Sequence, residues 1–337
     1  MFIIKIKQNI SLAPLTAFGI GGRAKFFVEI GSVDELAEAV NFATKNNFGV
    51  FVLGGGSNVL ISDGGFNGLV IKMNISGMRH AVSGEHVVSM YAGAGEMWDD
   101  VVAKAVELNA GGIENLSLIP GTVGGAVYQN IGAYGAELKD VLVLVKAYDI
   151  KNGDIVELSN KECCFDYRHS IFKKNKGLIV LGAELLLSKN HKPSLSYPDL
   201  KKRFSGLSPT ISEVRRAVID IRRNKLPYPE EVGNAGSFFK NPIIPISNYQ
   251  SLVVKFPDLK GHDLGSGSVK LSAAQLIEKA GFKGKKVGRV GVSEKHALVL
   301  VNYGKSTAKE LIDLSRMVKE TVKSKFGVIL ESEVEQI

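Results

Sequence analysis

The sequence predicts an α+β fold. Three observations carry that reading: a strand–helix–strand unit near the start, a middle region dominated by short apolar segments, and a last region where helix signals return. In the first unit Ala24 to Ile30 is strand-like. Ser32 and Glu35 stand in capping-box relation, and Leu36, Ala37, Val40 and Ala43 share one helical face. Asn46 and Asn47 end that helix, and Gly49 to Leu53 is a short buried strand. From about Gly68 to Ser188, the segments Val87 to Met90, Val141 to Tyr148 and Leu178 to Leu187 read as strands. One helix spans Met97 to Leu108, closed by Gly111 and Gly112. Strand content dominates there, which favours α+β over a doubly wound sheet. Asn190 to Pro209 is polar and proline-bearing, a connection or a functional loop. The last region offers helices at Glu213 to Asn224, Ser272 to Ala280 (stopped by Gly281) and Thr307 to Lys323, with Thr307 and Glu310 as a second capping box.

A chain of 337 residues exceeds one small core and suggests two or three domains. With 45% hydrophobic and 23% charged residues it has the composition of a soluble globular protein. No apolar run approaches the ~20 residues that span a bilayer, so no membrane insertion is expected. Met1 to Lys7 alternates apolar residues with lysines and lacks a small-residue cleavage site, so it reads as a strand and not a signal peptide. Cys163 and Cys164 are adjacent, a poor arrangement for a disulfide framework, which fits a reducing cytoplasm. The net charge of +8 is dispersed, without a nucleic-acid-binding module, and suits small phosphorylated ligands instead.

Three segments carry chemistry. Gly54, Gly55, Gly56, Ser57 and Asn58 follow a strand and present unobstructed backbone N–H groups, as a pyrophosphate requires. The run is neither a Walker A loop nor G-x-G-x-x-G, since Val59 takes the last glycine position, and a plain tight turn reads equally well. Ile119, Pro120, Gly121, Thr122, Gly124, Gly125 and Ala126, then Asn130, Gly132, Ala133, Tyr134 and Gly135, imply a backbone folded around a ligand or a glycine-rich crossing between sheets. The pair points to a dinucleotide with two ends to hold. The third segment, Gly233 to Pro242, places Ser237 after two glycines and before Phe238 and Phe239, which read as the start of a buried strand. Ser237 is then a hydroxyl at a loop-to-strand junction facing a ligand, or a turn serine bonded to its own backbone. No H-E-x-x-H occurs, and Cys163, Cys164 and His169 lack metal-ligand spacing, so no metal is expected.

These segments, with Tyr167 to Ser170 and Leu330 to Val334, occur in an order that resembles the UDP-N-acetylenolpyruvoylglucosamine reductases of the type I branch. The likeness runs from about Ala17 to the C-terminus. It implies a vanillyl-alcohol-oxidase-like (PCMH-type) FAD-binding fold in two subdomains plus a C-terminal α/β substrate-binding domain. The implied boundaries are 1–67 and 68–208 for the FAD subdomains, with a closing loop near 190–200. Residues 209–325 form the substrate domain, and 326–337 a strand returning to the active site. The resemblance implies non-covalent FAD, NADPH as reductant, and UDP-N-acetylglucosamine enolpyruvate as substrate of a cytoplasmic monomer.

The same resemblance assigns roles. Gly54 to Val59 would hold mainly the FAD pyrophosphate, and the second glycine segment its isoalloxazine side. Arg168 and Glu333 would stabilise the enolate and Ser237 would protonate it; taken alone, Arg168 reads as a surface ion-pair residue and Glu333 as a solvated carboxylate. Tyr167, Tyr197, Arg222, Lys225, Asn241, Lys270 and Lys283 match substrate contacts, though Arg222 with Arg215, Arg216 and Arg223 also fits a charged helix face. His262 stands where relatives commonly have a substrate-contacting tyrosine, and Glu335 replaces an arginine of some members. The competing readings are a different FAD-dependent oxidase or dehydrogenase of the same broad fold, and a non-enzymatic nucleotide-sugar- or flavin-binding regulator.

Overall fold

In the computed structural model, which describes residues 4–265 and 267–337, the chain passes repeatedly between two units. The first comprises the chain up to Ile10, Ala24–Gly56 and Phe66–Arg223; the second comprises Ser11–Arg23, Ser57–Gly65 and Asn224–Ile337.

Two larger sheets form the body of the first unit. One runs in the order Lys7–Ser11, Arg23–Ile30, Phe66–Met73, Val50–Leu53, and its last three strands pair in parallel. Of the expected N-terminal strand, residues 1–3 lie outside the described residues, and among the described ones ladder bonding starts at Lys7. Ile4 and Ile6 still pack against the core. Alternation reports which side chains turn inward, whereas a ladder needs a neighbouring strand alongside. The connecting helix Val33–Lys45 buries Leu36, Ala39, Val40 and Ala43, with Ala37 only partly covered. The Ser32 hydroxyl accepts the Glu35 N–H at 3.2 Å, but the Glu35 carboxylate reaches past Ser32 to the Gly31 N–H at 2.6 Å.

The other sheet is antiparallel, in the order Asp154–Ser159, Leu142–Asp149, Leu178–Ser188, Val87–Gly93, Met78–Ser83. Its inward residues, among them Val145, Ala183, Leu185 and Met90, share a core with Trp98, Val101, Val102 and Ala105 of helix Trp98–Glu107. That helix ends earlier than the paired glycines suggest. Asn109 takes the left-handed turn at φ 54°, and the Ala110 N–H returns to the Ala105 carbonyl at 2.9 Å. The polar stretch after Ser188 is not all loop, since Pro198 opens the short helix Pro198–Arg203.

The second unit carries a four-stranded antiparallel sheet, Gly233–Ser237, Val299–Asn302, Val290–Val292, Lys286–Val287. Helices Ala273–Lys279 and Ala308–Phe326 supply Leu276, Ile277, Leu311, Leu314 and Val318 to its core. A smaller sheet joins Ile243–Pro245, Ser268–Leu271 and Gly261–Asp263, and Glu335–Gln336 pairs in parallel with Val59–Leu60. The strand at the third glycine segment is Gly233–Ser237 itself, and Phe238 and Phe239 follow it, both fully buried. A Cβ on Gly233 would lie 2.4 Å from the Phe18 carbonyl oxygen, so glycine is what lets this strand enter the unit. Among the described residues no helix is long and apolar enough to cross a membrane.

Candidate active site

The first unit builds a cradle from its glycines. Gly54 to Gly56 leave the strand Val50–Leu53 and meet the second glycine segment: a Cβ on Gly54 would lie 2.7 Å from Thr122 Oγ1, and one on Gly55 2.7 Å from Gly121 Cα. Lys72, paired with Leu53 on the neighbouring strand, donates its ammonium to the Gly54 carbonyl. Burial lowers the Lys72 pKa, with Glu29 opposing. Thr122 is 95% buried, and its buried hydroxyl has no hydrogen-bond partner among the described residues. A buried, unpaired hydroxyl beside glycines cleared of side chains is what an external acceptor such as a phosphate or flavin carbonyl would satisfy. The donor set therefore fits FAD. The helix Val123–Gln129 contributes less than its N-terminus suggests, because the Val123 and Gly124 amides already donate to the Glu96 and Ala94 carbonyls. Gly124 is a packing glycine, 3.1 Å from Ala94 at its would-be Cβ, whereas Gly125 and Pro120 are exposed, Ile119 is half-buried and Ala126 is buried.

The rest of that segment is a hairpin. Gly132 and Ala133 pair with Glu137 and Ala136 across Tyr134 and Gly135, whose φ values of 50° and 84° form the turn. Asn130, fully buried at φ 46°, donates to Glu137 and to the Asp166 carbonyl and accepts the Lys139 N–H, so its amide braces the hairpin. The Arg168 guanidinium donates to the Gly132 carbonyl at 2.6 Å and lies 5.4 Å from the centre of the Tyr167 ring. Arg168 itself has a left-handed φ of 52°, within a tight turn closed by reciprocal Asp166–His169 backbone bonds.

Further side chains converge on this region without a local sequence signal. Asp99 takes both arms of Arg215 at 2.7 and 3.0 Å and accepts the Leu118 N–H at 2.6 Å. Burial pushes the Asp99 pKa up, but these donors outweigh it and the net shift is down. Arg222 donates Nε to the Leu118 carbonyl at 3.1 Å and bonds the Tyr134 hydroxyl, whose pKa burial pushes up to about 12. Tyr197, 40% exposed, packs edge-on against Tyr134 with ring centres 4.9 Å apart. The segment bearing Tyr197 is tied by the Asn115 amide, which donates to the Tyr134 and Ser194 carbonyls, and by His191, 3.2 Å from the buried Glu114 carboxylate. Glu114 could have been suspected as a charge inside an apolar run; Asp99 and Arg215, 116 positions apart, could not.

In the second unit Ser237 ends its strand, opposite Val299. Gly236 (φ 66°) bends the backbone just before it, and the Asn234 side chain accepts the Gly236 N–H at 2.9 Å. The loop-to-strand junction expected for Ser237 is thus a strand-to-loop junction. The Glu333 N–H donates to the Phe238 carbonyl at 2.8 Å, which brings the backbones of the two segments together. The Asn58 amide donates to the Glu333 carbonyl at 3.1 Å, Val59 pairs with Glu335, and Ser57 opens this stretch of the unit. Asn241 accepts the Ala273 N–H at 3.0 Å. Lys283 pairs with Glu278 at 3.0 Å, and His262 and Lys270 lie opposite one another on adjacent strands. His296, which the sequence reading did not single out, is held neutral-leaning by burial, with Lys225 and Lys283 adding to the downward shift. Among the described residues no group of three His, Cys, Asp or Glu is placed to hold a metal.

Residues 24–159 match the family model for the FAD binding domain, and the fold is shared with 6-hydroxy-D-nicotine oxidase from Arthrobacter nicotinovorans (TM-score 0.53, 13% identity, 98% of this chain and 87% of that one). The chain therefore has a PCMH-type α+β fold with an FAD-binding domain. Residues 227–337 match the model for the UDP-N-acetylenolpyruvoylglucosamine reductase C-terminal domain. The reductase of that name from Flavobacterium johnsoniae is 42% identical over 99% of this chain and all of the relative. The crystal structure of the reductase from Thermus caldophilus aligns with TM-score 0.70 at 25% identity, covering 99% of each chain. The chain belongs to the UDP-N-acetylenolpyruvoylglucosamine reductase family.

Proposed function

We propose that the protein reduces UDP-N-acetylglucosamine enolpyruvate to UDP-N-acetylmuramate with NADPH, in the cytoplasmic synthesis of peptidoglycan precursors, acting as a monomer. The observation that carries this reading is the end-to-end likeness to the named reductase, through both the FAD domain and the C-terminal domain. Functionally the chain then divides into FAD subdomains at 1–67 and 68–208, a substrate domain at 209–325 and a returning strand at 326–337. When bound and reduced by NADPH, FAD would supply a hydride for the enolpyruvyl methylene carbon.

The residue roles follow from charge. Hydride addition leaves negative charge on the ether-bearing carbon and the conjugated carboxylate, which calls for preorganised donors. Arg168 is suited to this as a permanent planar cation whose guanidinium the Gly132 carbonyl orients. Glu333 helps to polarise the enolate. Ser237 delivers the proton to the ether-bearing carbon; a hydroxyl does this only in a dry, aligned site, and the Gly236 bend with its Asn234 bond fixes the backbone that presents it. Gly54 to Val59 and Ile119 to Gly135 hold FAD. Tyr167, Tyr197, Arg222, Lys225, Asn241, His262, Lys270 and Lys283 take the UDP-sugar, with Tyr197 closing over its diphosphate.

Anaerobic stopped-flow spectroscopy tests the reading: NADPH bleaches the flavin, and the enolpyruvyl UDP-sugar then reoxidises it. Reoxidation by oxygen alone, with no response to the UDP-sugar, would point to an oxidase instead; no response to NADPH would point to a binding protein. Ser237→Ala is expected to leave flavin reduction intact and to slow the substrate half-reaction at least ~10²-fold. An unaltered second half-reaction removes Ser237 from the chemistry.

A further inference from the structure

Leu118 is the residue the cradle strains. It is a leucine at φ 58°, where a side chain disfavours the backbone by about five- to thirtyfold, and nothing in its sequence surroundings requires that conformation. Its two peptide groups are both gripped. The N–H donates to Asp99 at 2.6 Å, and the carbonyl accepts Arg222 Nε at 3.1 Å. Three residues on, the Gly121 carbonyl accepts the Trp98 N–H at 3.0 Å. The opening turn of helix Trp98–Glu107 therefore holds both ends of the segment 118–121. Within that segment Pro120 has no N–H to donate. Arg215, 84% buried at its side chain, takes both Asp99 oxygens and so fixes the carboxylate that grips Leu118. Arg222 carries the same grip on to the Tyr134 hydroxyl, and Tyr134 packs on Tyr197.

We infer that Asp99, braced by Arg215 and joined by Arg222, is a positioning residue that holds Leu118 in the left-handed conformation and so aims Ile119 to Thr122 at the flavin. The inference rests on the reading of that segment as part of the FAD cradle. It also changes the part played by Arg222, whose Nε is committed to the backbone of the cradle in addition to any contact with substrate. Asp99 acts through Leu118, whose N–H it accepts.

The experiment measures FAD dissociation from the full-length flavoprotein by recovery of flavin fluorescence on dilution. Asp99→Ala is expected to raise the FAD Kd about tenfold, within the factor that the strain at Leu118 represents. Combining it with Leu118→Gly is expected to bring the Kd back to within about threefold of wild type, because glycine adopts φ 58° without a clamp. A damaged core would not be repaired by that second change. Hydrogen exchange at the Leu118 amide should speed up in Asp99→Ala. If Asp99→Ala is not recovered folded, Asp99→Asn, which keeps an acceptor but loses the two-armed bridge, is compared with its own Leu118→Gly double variant. A wild-type Kd in the single variant, or a double variant as weak as the single, overturns the inference. Wild-type protein that holds no FAD defeats the cradle reading itself, a separate result.

Discussion

One absent Cβ decides how closely the two loops of the proposed flavin cradle approach. At Gly55 the obstructing atoms are the Cα and carbonyl carbon of Gly121, at 2.7 and 3.3 Å, and backbone cannot swing aside as a side chain can. Gly55→Ala is therefore expected to part the loops and raise the FAD Kd at least about tenfold. Gly64→Ala, with nothing within 4 Å, serves as the control and should leave it unchanged. Equal affinities in the two variants count against the close approach. The sequence made these glycines legible as sites of close approach, but not what they approach. Asn130 shows the opposite limit: its position in a motif marks it for the cofactor, while its amide is occupied with Glu137, Asp166 and Lys139. Asp99 and Arg215 carry no local mark, because a charge pair closed by the fold obeys no spacing rule.

Elements were most legible where their ends are chemical. Thr307 and Glu310 form the reciprocal cap that their spacing predicts, the hydroxyl taking the Glu310 N–H at 3.2 Å and the carboxylate the Thr307 N–H at 2.8 Å. Asp63, from a distant loop, also accepts the Ala308 and Lys309 amides, a partner no helix-start rule includes. Thr307→Ala should cost about 1 kcal/mol, read as a lower midpoint in thermal unfolding. A midpoint unchanged from wild type would mean that Asp63 alone satisfies the helix start. Legibility failed at Gly233–Ser237, where glycines signal a loop but form a strand. The rule that glycine weakens a strand assumes open surroundings, and here Phe18 crowds the chain so closely that no other residue fits.

Across the whole molecule, stability should depend on pH through Glu114 and His191. Burial pushes the Glu114 pKa up, but His191 and the Gly112 N–H outweigh it, for a net lowering; contact with Glu114 raises the His191 pKa against the effect of burial. The histidine contribution is full below its ordinary value of 6.5 and is lost as pH rises through its raised value. The carboxylate contribution is full above its ordinary value of 4.5 and is lost as pH falls through its lowered value. Wild type should therefore exceed His191→Gln in melting temperature most clearly near pH ~6, and the gap should narrow towards pH ~9. A gap of constant size over that range would assign His191 a packing role only.

The division of the chain also has a consequence for the order in which it is made. Ser11–Arg23 and Ser57–Gly65 belong to the second unit, yet most of that unit lies beyond Asn224. The strand Val59–Leu60 takes Glu335–Gln336 as its ladder partner. During synthesis at ~5–20 residues per second, these two early pieces wait roughly ten to thirty seconds before their unit begins to emerge. Ile20 and Leu60, buried in the finished unit, are exposed for that interval. The completion of the second unit thus waits on the last residues made, and until then two short early segments lack the partners they are buried against.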